Sequence, residues 1–332
     1  MTAAESLARD KTNIKIIGLL LDNARRTFEE IGKEVGISKN AVWNRYKEMT
    51  QAGLITGATV QINYKKLGYD AVGTLLLDVD MPQIEQASKY IKARVPDVFG
   101  PFSSASRYNL RAVVTLKNIS ELGRIKDELR KALAITEISS SIWTDIWFTP
   151  ENLSLIPVRP IAITDKKSSD NSIFDADKLD FDIIKELAED SRKSFRCMAK
   201  KLDVSVDTVS RRYEKLREEG IIASRIQFDP RKIGYSGFAQ FYLRIMPEYD
   251  VDAVISEIFP IPDVFYIMKC KGDYNISAML MVKSVQDMLS TGDFIAGIKG
   301  TKRTETVASE IMAKWPIPRT YTSTLVRNLI IT

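Results

Sequence analysis

The spacing of apolar residues predicts three short helices near the start of the chain. Ile14, Ile17 and Leu21 recur at the spacing of one helical face. Thr27 begins a second helix and has Glu30 three residues on, which is a capping-box pattern. Each of these helices is short and polar on its other side, so the three must pack together to bury their apolar faces.

The third helix has both a start and a stop signal. Ser38 is a good N-cap, and Gly53 stands where a left-handed residue commonly ends a helix. Val42, Tyr46 and Met49 form its inner face. Two short helices joined by a tight turn are typical of a helix-turn-helix (HTH) unit.

The whole pattern returns in the second half of the chain. Residues Asp10 to Gly53 align without a gap with Asp177 to Gly220, and the match continues to Tyr69 and Tyr235. The period is far too long for a solenoid repeat, so a complete unit is duplicated, as in a dimer written as one polypeptide. The helical positions of copy two are Phe181, Ile184, Leu187, Ser194, Met198, Leu202, Ser205, Val209, Tyr213 and Leu216.

After each HTH comes a strand-like connector, and then strands and helices alternate as βαββαβ. This order predicts an α+β fold class: two copies of an HTH domain, each followed by a ferredoxin-like domain. The connectors are expected at 54–64 and 221–229. Copy-one strands are expected near 71–79, 98–106, 110–116 and 136–147, with helices near 83–94 and 120–133. Copy-two strands are expected near 237–245, 264–270, 276–282 and 304–314, with helices near 251–258 and 285–298.

The repeat also sets the expected domain boundaries. The HTH domains span residues 1–57 and 177–224, the ferredoxin-like domains span 58–164 and 225–332, and a polar linker occupies 165–176. The similar segments 158–164 and 326–332 predict an added strand at the end of each α+β domain.

Composition narrows the class of protein. Of 332 residues, 45% are hydrophobic and the net charge is +5, which permits nucleic-acid binding without demonstrating it. The first residues contain no apolar run, and no stretch approaches the roughly 20 apolar residues of a membrane span. The two cysteines lie at non-equivalent positions, so we expect no disulfide or metal site and a cytoplasmic location. Cys197 is expected in the core, and Trp143, Trp147 and Trp315 in core or inter-copy packing.

The chain contains no histidine, which removes the commonest general acid–base group and the commonest metal ligand. No nucleophile elbow, phosphate-binding glycine loop or paired-carboxylate motif is present either. We therefore expect a protein without enzymatic activity and without a cofactor.

The third helix is the candidate recognition helix, because Asn can read adenine and Lys can reach guanine or phosphate. The alternative interpretation is that the outer face of this helix is an ordinary polar surface in contact with solvent. The candidate DNA-binding residues are Ser38, Lys39, Asn40, Trp43, Asn44, Arg45 and Lys47 in copy one, and Ser205, Asp207, Thr208, Ser210, Arg211 and Arg212 in copy two. For Arg45 and Arg212, a phosphate clamp and a structural ion pair are both open. Arg25, Arg26, Arg192 and Lys193, which precede the second helices, are plausible contacts to the DNA backbone.

In its order of elements and in several motifs, the chain resembles the Lrp/AsnC family of transcription regulators. The resemblance rests on three sets of residues. They are the segments Asp10–Ile16 and Asp177–Ile183 that begin each copy, the third-helix residues with the Gly-apolar-Ile sequence that follows them, and the turns Leu67–Tyr69 and Ile233–Tyr235. The resemblance implies binding to double-stranded DNA, self-association through the ferredoxin-like domains and a small effector such as an amino acid. The fusion of two units in one chain departs from the family.

The resemblance also points to an effector-side loop. Copy two carries Gly272-Asp273-Tyr274 there, whereas copy one has Ser106 followed by Arg107 and Tyr108. These residues are the candidate effector site. Two other functions compete with DNA regulation: a ligand-sensing or assembly protein without DNA binding, and an enzyme similar to the siroheme decarboxylases, which the lack of histidine disfavours.

Overall fold

The structure is a computed structural model and describes residues 2–94, 98–103, 108–133, 135–149, 152–156 and 173–316. It divides into two compact units that do not follow chain order. Unit 1 comprises residues 1–67, 154–235 and 312–332, and unit 2 comprises 68–153 and 236–311. Unit 1 therefore contains both HTH copies, and unit 2 contains both α+β domains.

In the residues that the structure describes, unit 1 has seven α-helices with well-defined caps. The buried residues Ile17, Leu20 and Leu21 recur on one face of α2, as the sequence pattern predicts. Copy one also has an additional first helix, capped by Thr2 and Glu5. The helices of unit 1 are α1 (Ala3–Arg9), α2 (Lys11–Asp22), α3 (Phe28–Val35) and α4 (Lys39–Gln51) in copy one, and α7 (Lys178–Glu189), α8 (Phe195–Leu202) and α9 (Val206–Glu218) in copy two.

The connector strands of the two copies pair with each other. β1 (Ile55–Ile62) and β6 (Ile222–Phe228) form a two-stranded antiparallel sheet. The amide of Ser191 donates to the carbonyl of Ala58 at 3.1 Å, and the Thr59 hydroxyl donates to the carbonyl of Ala188 at 2.9 Å. These bonds tie β1 to copy two. The strands therefore lie with the HTH helices and not with the α+β domains, which differs from the boundaries expected at 57/58 and 224/225.

Unit 2 contains the two βαββαβ sets, and most elements lie within a few residues of their predicted bounds. The largest shift is the last strand, which begins at Thr301 and ends at Glu310. Copy one supplies β2 (Ala71–Val79), α5 (Ile84–Arg94), β3 (Val98–Ser103), β4 (Leu110–Leu116), α6 (Glu121–Ala132) and β5 (Ile135–Phe148). Copy two supplies β7 (Gly237–Ile245), α10 (Val251–Ile258), β8 (Val264–Gly272), β9 (Ile276–Val282), α11 (Val285–Gly297) and β10 (Thr301–Glu310).

All eight strands belong to one antiparallel sheet in the order β10-β7-β9-β8-β5-β2-β4-β3. Each half has its fourth, first, third and second strand in that sequence, which is the ferredoxin-like arrangement. The halves join where β5 pairs with β8, with Trp143 opposite Cys270 and Trp147 opposite Ile267. The two α+β domains of one chain are thus a continuous sheet.

Residues alternate between the two faces of this sheet, as the period of a strand requires. On β2, Leu75 and Leu77 enter the core beneath the copy-one helices, whereas Leu76 points to the opposite face. There it belongs to a buried cluster with Tyr242 and Val307 of copy two. The helix-free faces of the two halves therefore also meet, and each half buries apolar surface against the other.

Three expectations about single residues have clear outcomes. Trp147 packs against the copy-two core although it lies in β5 of copy one, and Trp315 is buried against Phe228 in unit 1. Cys197 is exposed, so its assignment to the core was wrong. The reason is that α8 is only two turns long and turns Met198 and Ala199 inward.

The segments 158–164 and 326–332, with their predicted strands, lie outside the described residues, as does most of the linker 165–176. Among the helices that the structure describes, none combines the length and the apolar character needed to cross a bilayer.

Candidate nucleic-acid interface

The HTH of copy one is fixed by local hydrogen bonds at each helix end. The Thr27 hydroxyl accepts from the amide of Glu30 at 3.2 Å, and a Glu30 carboxylate oxygen accepts from the amide of Thr27 at 2.7 Å. Gly36 ends α3 with φ 81°, and the Ser38 hydroxyl accepts from the amide of Ala41 at 3.2 Å. The α3–turn–α4 geometry is therefore encoded by local contacts within residues 27–41.

The outer face of α4 consists of the residues that the sequence selected. Val42 and Met49 are fully buried, which turns the opposite side of the helix to solvent. Trp43 is 49% exposed, and its ring lies 5.6 Å from that of Phe28, so neighbouring aromatic rings hold it in place. The exposed residues of this face are Ser38, Lys39, Asn40, Trp43, Asn44 and Lys47.

The corresponding face of α9 is different in chemistry. Ser205, Asp207 and Arg211 are exposed, whereas Thr208 and Ser210 are only half-exposed. The Thr208 hydroxyl lies 2.8 Å from the Ser205 hydroxyl and belongs to the helix cap. Only part of the candidate set in copy two thus points outward.

The sequence left two alternatives open for Arg45 and Arg212, a phosphate clamp and a structural ion pair. The structure shows the ion pair for both. Arg45 Nη1 donates to Asp10 Oδ2 at 2.8 Å and to Asn13 Oδ1 at 2.9 Å, joining α4 to the start of α2. Its guanidinium, with two backbone amides, holds the pKa of Asp10 below its usual range. Arg212 makes the equivalent bonds to Asp177 and Asp180.

Two residues expected at the DNA backbone instead join the two HTH copies. The Arg25 guanidinium lies 4.3 Å from the ring centroid of Phe195 and 4.9 Å from that of Tyr213. At the equivalent position of copy two, Arg192 lies over Phe28 at 4.8 Å and over Tyr46 at 5.2 Å. We call this pair the arginine clamp.

The clamp is completed by hydrogen bonds. Arg25 donates to the carbonyls of Ser191 and Lys193, and Arg192 donates to the carbonyl of Ala24. Burial lowers the pKa of Arg25 from its usual value, as desolvation of a cation requires. Each arginine thus contacts the tyrosine of the other copy's candidate recognition helix.

Sequence reasoning did not single out α8. Its residues Arg196 and Lys200 are exposed, and Arg196 stands where copy one has Glu29. Comparing the charges of the aligned segments 28–35 and 195–202 would have revealed this reversal.

Gly272 and Asp273 of the candidate effector set lie at the junction of β5 and β8. The Asp273 carboxylate accepts from the Ser139 hydroxyl at 2.9 Å and from the Ser140 amide at 3.0 Å. Gly272 has φ 133°, and a Cβ there would lie 2.5 Å from the Ser140 carbonyl oxygen.

The two tyrosines of the set are buried. Tyr274 packs in the cluster between the sheet halves, and the Tyr108 hydroxyl donates to Glu137 at 2.9 Å. Arg107 lies outside the described residues. The described members of the candidate set therefore contribute to packing and to the joining of the two halves.

Comparison with known proteins agrees with this architecture. The winged helix-turn-helix DNA-binding family matches residues 9–56 and 177–223. The HTH-type transcriptional regulator Ptr1 of Methanocaldococcus jannaschii is 34% identical over 119 residues, covering 36% of this chain and 80% of that protein. The HTH-type transcriptional regulator LrpA of Pyrococcus horikoshii is 30% identical over 135 residues, covering 40% of this chain and 93% of that protein.

Among solved structures, the siroheme decarboxylase NirDL is similar over 97% of this chain and 100% of its own, with a TM-score of 0.64. The two are 14% identical, so the similarity shows a shared fold alone. The matches to Ptr1 and LrpA each span less than half of this chain. The chain belongs to the Lrp/AsnC family of HTH-type, DNA-binding transcription regulators and contains the family's unit twice.

Proposed function

We propose that this regulator binds a specific sequence of double-stranded DNA, with α4 of copy one in the major groove. The observation that carries the proposal is the outer face of α4, where exposed amide, ammonium and indole groups stand on a helix anchored by buried Val42 and Met49. Recognition helices read base edges from such a rigid, polar face.

Each group on this face has a suitable partner in the groove. The side-chain amides of Asn40 and Asn44 can pair with adenine, and Lys39 and Lys47 can reach guanine or phosphate. Trp43 offers an apolar surface to a thymine methyl group. The rings of Phe28 and Tyr46 pack beside Trp43 and already restrict its side chain. Contact with DNA would therefore cost Trp43 little further conformational entropy.

The two recognition helices read different sequences in this proposal. Where copy one presents Asn40 and Asn44, copy two presents Asp207 and Arg211, which suit cytosine and guanine. A homodimer reads a palindrome because its two helices are identical. We therefore expect one chain to prefer a non-palindromic site.

Selection from a pool of randomised duplexes, followed by binding measurements, tests this function. Asn44→Ala should lower affinity for the selected duplex by about 1–3 kcal/mol and relax the preference at one position, while a scrambled duplex is bound as before. Glu48→Ala, an exposed change on the same helix outside this set, is the matched control. Equal losses on both duplexes for Asn44→Ala would contradict base reading by this residue.

The other two functions considered give different results in the same experiment. A ligand-sensing or assembly protein would select no duplex. Copurification of a coloured tetrapyrrole with the chain would instead support a decarboxylase similar to NirDL. We propose that the chain has no enzymatic activity, and the absence of histidine supports this.

Regulation by a small effector remains a prediction from the family resemblance. The Asp273 carboxylate could bind the ammonium group of an amino acid, but a ligand there would compete with Ser139 and Ser140. Titration calorimetry with a set of amino acids, on the wild-type chain and on Asp273→Ala, measures whether such binding occurs and whether this carboxylate takes part.

A further inference from the structure

The first helix of the HTH carries opposite charge in the two copies. Helix α3 contains three glutamates and one lysine, whereas α8 contains one arginine, two lysines and no acidic residue. The two helices have the same length and equivalent caps at Thr27 and Ser194. The opposite side-chain charges of α3 and α8 therefore lie at equivalent positions of the two HTH copies.

One exposed pair shows that this difference carries an energetic cost. In copy one, Lys33 pairs with Glu29 one turn away at 3.0 Å. The same two positions in copy two are Lys200 and Arg196, two cations four residues apart. Like charges at this spacing destabilise a helix. Copy two thus replaces a favourable local pair with an unfavourable one.

The structure provides no internal anion that would relieve the repulsion. Lys201 is bound to Glu186, a side chain only 3% exposed, but neither Arg196 nor Lys200 forms an ion pair with any residue that the structure describes. Both side chains are exposed, while Met198 and Ala199 anchor α8 in the core. The two cations stand on a fixed surface, and neither has an anionic partner in the described part of the chain.

The recognition helices show the opposite trend. The outer face of α4 has two lysines and no acidic residue among its five positions 39, 40, 43, 44 and 47. The equivalent face of α9 has Asp207 and Glu214 with one arginine, and Glu214 is already paired with Arg217 at 2.7 Å. In each copy, then, a different helix is suited to a polyanion.

We propose that the two copies divide the work of DNA binding: α8 of copy two holds backbone phosphates through Arg196 and Lys200, and α4 of copy one makes most of the base contacts, to which α9 adds those of Asp207 and Arg211. In an HTH the first helix crosses the backbone while the second enters the groove, so α8 lies where phosphates pass. Phosphate contacts supply affinity without sequence preference, and base contacts supply the preference. This division rests on the DNA-binding function proposed above.

The experiment measures affinity of the full chain for its selected duplex and for a scrambled duplex across a series of potassium chloride concentrations. The double variant Arg196→Gln/Lys200→Gln should lower the magnitude of the logarithmic salt slope by about 1–2, since each lost phosphate contact removes about 0.9. The affinity loss should be of the same factor on both duplexes. Thermal stability should stay equal or rise slightly, because the like-charge repulsion is removed.

The matched control is Glu29→Gln/Lys33→Gln, at the same two positions of copy one, which should leave the salt slope unchanged. Asn44→Ala should lower sequence preference and leave the slope unchanged. An unaltered slope in the α8 double variant, or a loss confined to the selected duplex, would overturn the division of work while DNA binding itself stands. A wild-type chain that binds no duplex would instead refute the proposed function and this inference together.

Discussion

Asp180 of copy two occupies the position that Asn13 has in copy one, but only Asp180 has a side chain that can ionise. Arg212 Nη1 lies 3.0 Å from Asp180 Oδ2 and 2.8 Å from Asp177 Oδ2, so two carboxylates share one guanidinium. Burial raises the pKa of Asp180, and the nearby Asp177 carboxylate adds to the rise. For Asp177, burial also acts to raise the pKa, but the Asp180 amide and Arg212 outweigh it and the pKa is lowered.

The raised pKa of Asp180 predicts a pH-dependent effect of Asp180→Asn. The folded chain holds this proton more tightly than the unfolded chain, so the contribution of Asp180 to stability is greatest at low pH and falls as pH rises through its raised pKa. Asn cannot ionise. The free energy of unfolding of the variant, relative to that of the wild type, should therefore increase with pH. The total increase should be about 1.4 kcal/mol for each pH unit by which folding raises the pKa of Asp180.

Urea unfolding at a series of pH values measures this difference. Asp177→Asn is the control, and it should show the opposite trend: Asp177 with its lowered pKa contributes stability above its ordinary pKa and loses it as pH falls. Asn13 accepts from Arg45 in copy one, so the fold accommodates an amide at this position. A relative stability of Asp180→Asn that falls with rising pH would contradict the assignment.

At the scale of elements, the arginine clamp connects α4 and α9, the candidate recognition helices. Arg25 reaches Tyr213 on α9, and Arg192 reaches Tyr46 on α4. Each also bonds backbone carbonyls of the other copy, and β1 and β6 add a ladder between the copies. Helices α4 and α9, the candidate recognition helices, are thereby held in one relative position.

The clamp predicts that Arg25→Lys destabilises unit 1 although the charge is kept. Lys lacks the planar guanidinium that stacks on Phe195 and bonds two carbonyls at once, so we expect a loss of about 1 kcal/mol in the free energy of unfolding. Arg26→Lys is the matched control, because Arg26 makes only part-exposed ion pairs with Asp22 and Glu34. Equal effects of the two changes in chemical denaturation would argue against stacking.

At the scale of the whole chain, duplication places the boundary between the two copies inside one sheet. Strand β5 spans residues 135–148 and pairs with β2 through its first part and with β8 through its last part. Gly272 and Asp273 complete this junction at Ser140. The length of β5 is what allows one strand to belong to both halves.

We therefore expect Gly272→Ala to weaken the junction strongly. The residue has φ 133°, and the added methyl would meet the Ser140 carbonyl oxygen at 2.5 Å, so a loss of about 2 kcal/mol or more in unfolding free energy should result. Gly123→Ala in α6 is the control: a Cβ there meets nothing within 4 Å, and stability should rise by about 0.5–1 kcal/mol. Thermal unfolding of both variants measures this, and a tolerated Gly272→Ala would refute the junction's dependence on glycine.

The sequence by itself determined the local elements and the outward face of α4. Caps such as Thr27 with Glu30, and the alternation of residues along β2, depend on interactions within a few residues, and duplication allowed each pattern to be compared with a second copy. The exposure of Trp43 and Asn44 followed from the buried positions of Val42 and Met49 on the same helix.

Only the tertiary structure decided how the copies combine and which side chains are used in combining them. The pairing of β1 with β6 and of β5 with β8, the stacking of Arg25, and the bonds of Asp273 join residues that are far apart in the chain. A guanidinium group can bind a phosphate or form an internal ion pair, and a carboxylate can bind a ligand's ammonium group or accept internal hydrogen bonds, so their residue type leaves both uses open. What lies opposite them in the folded chain selects one.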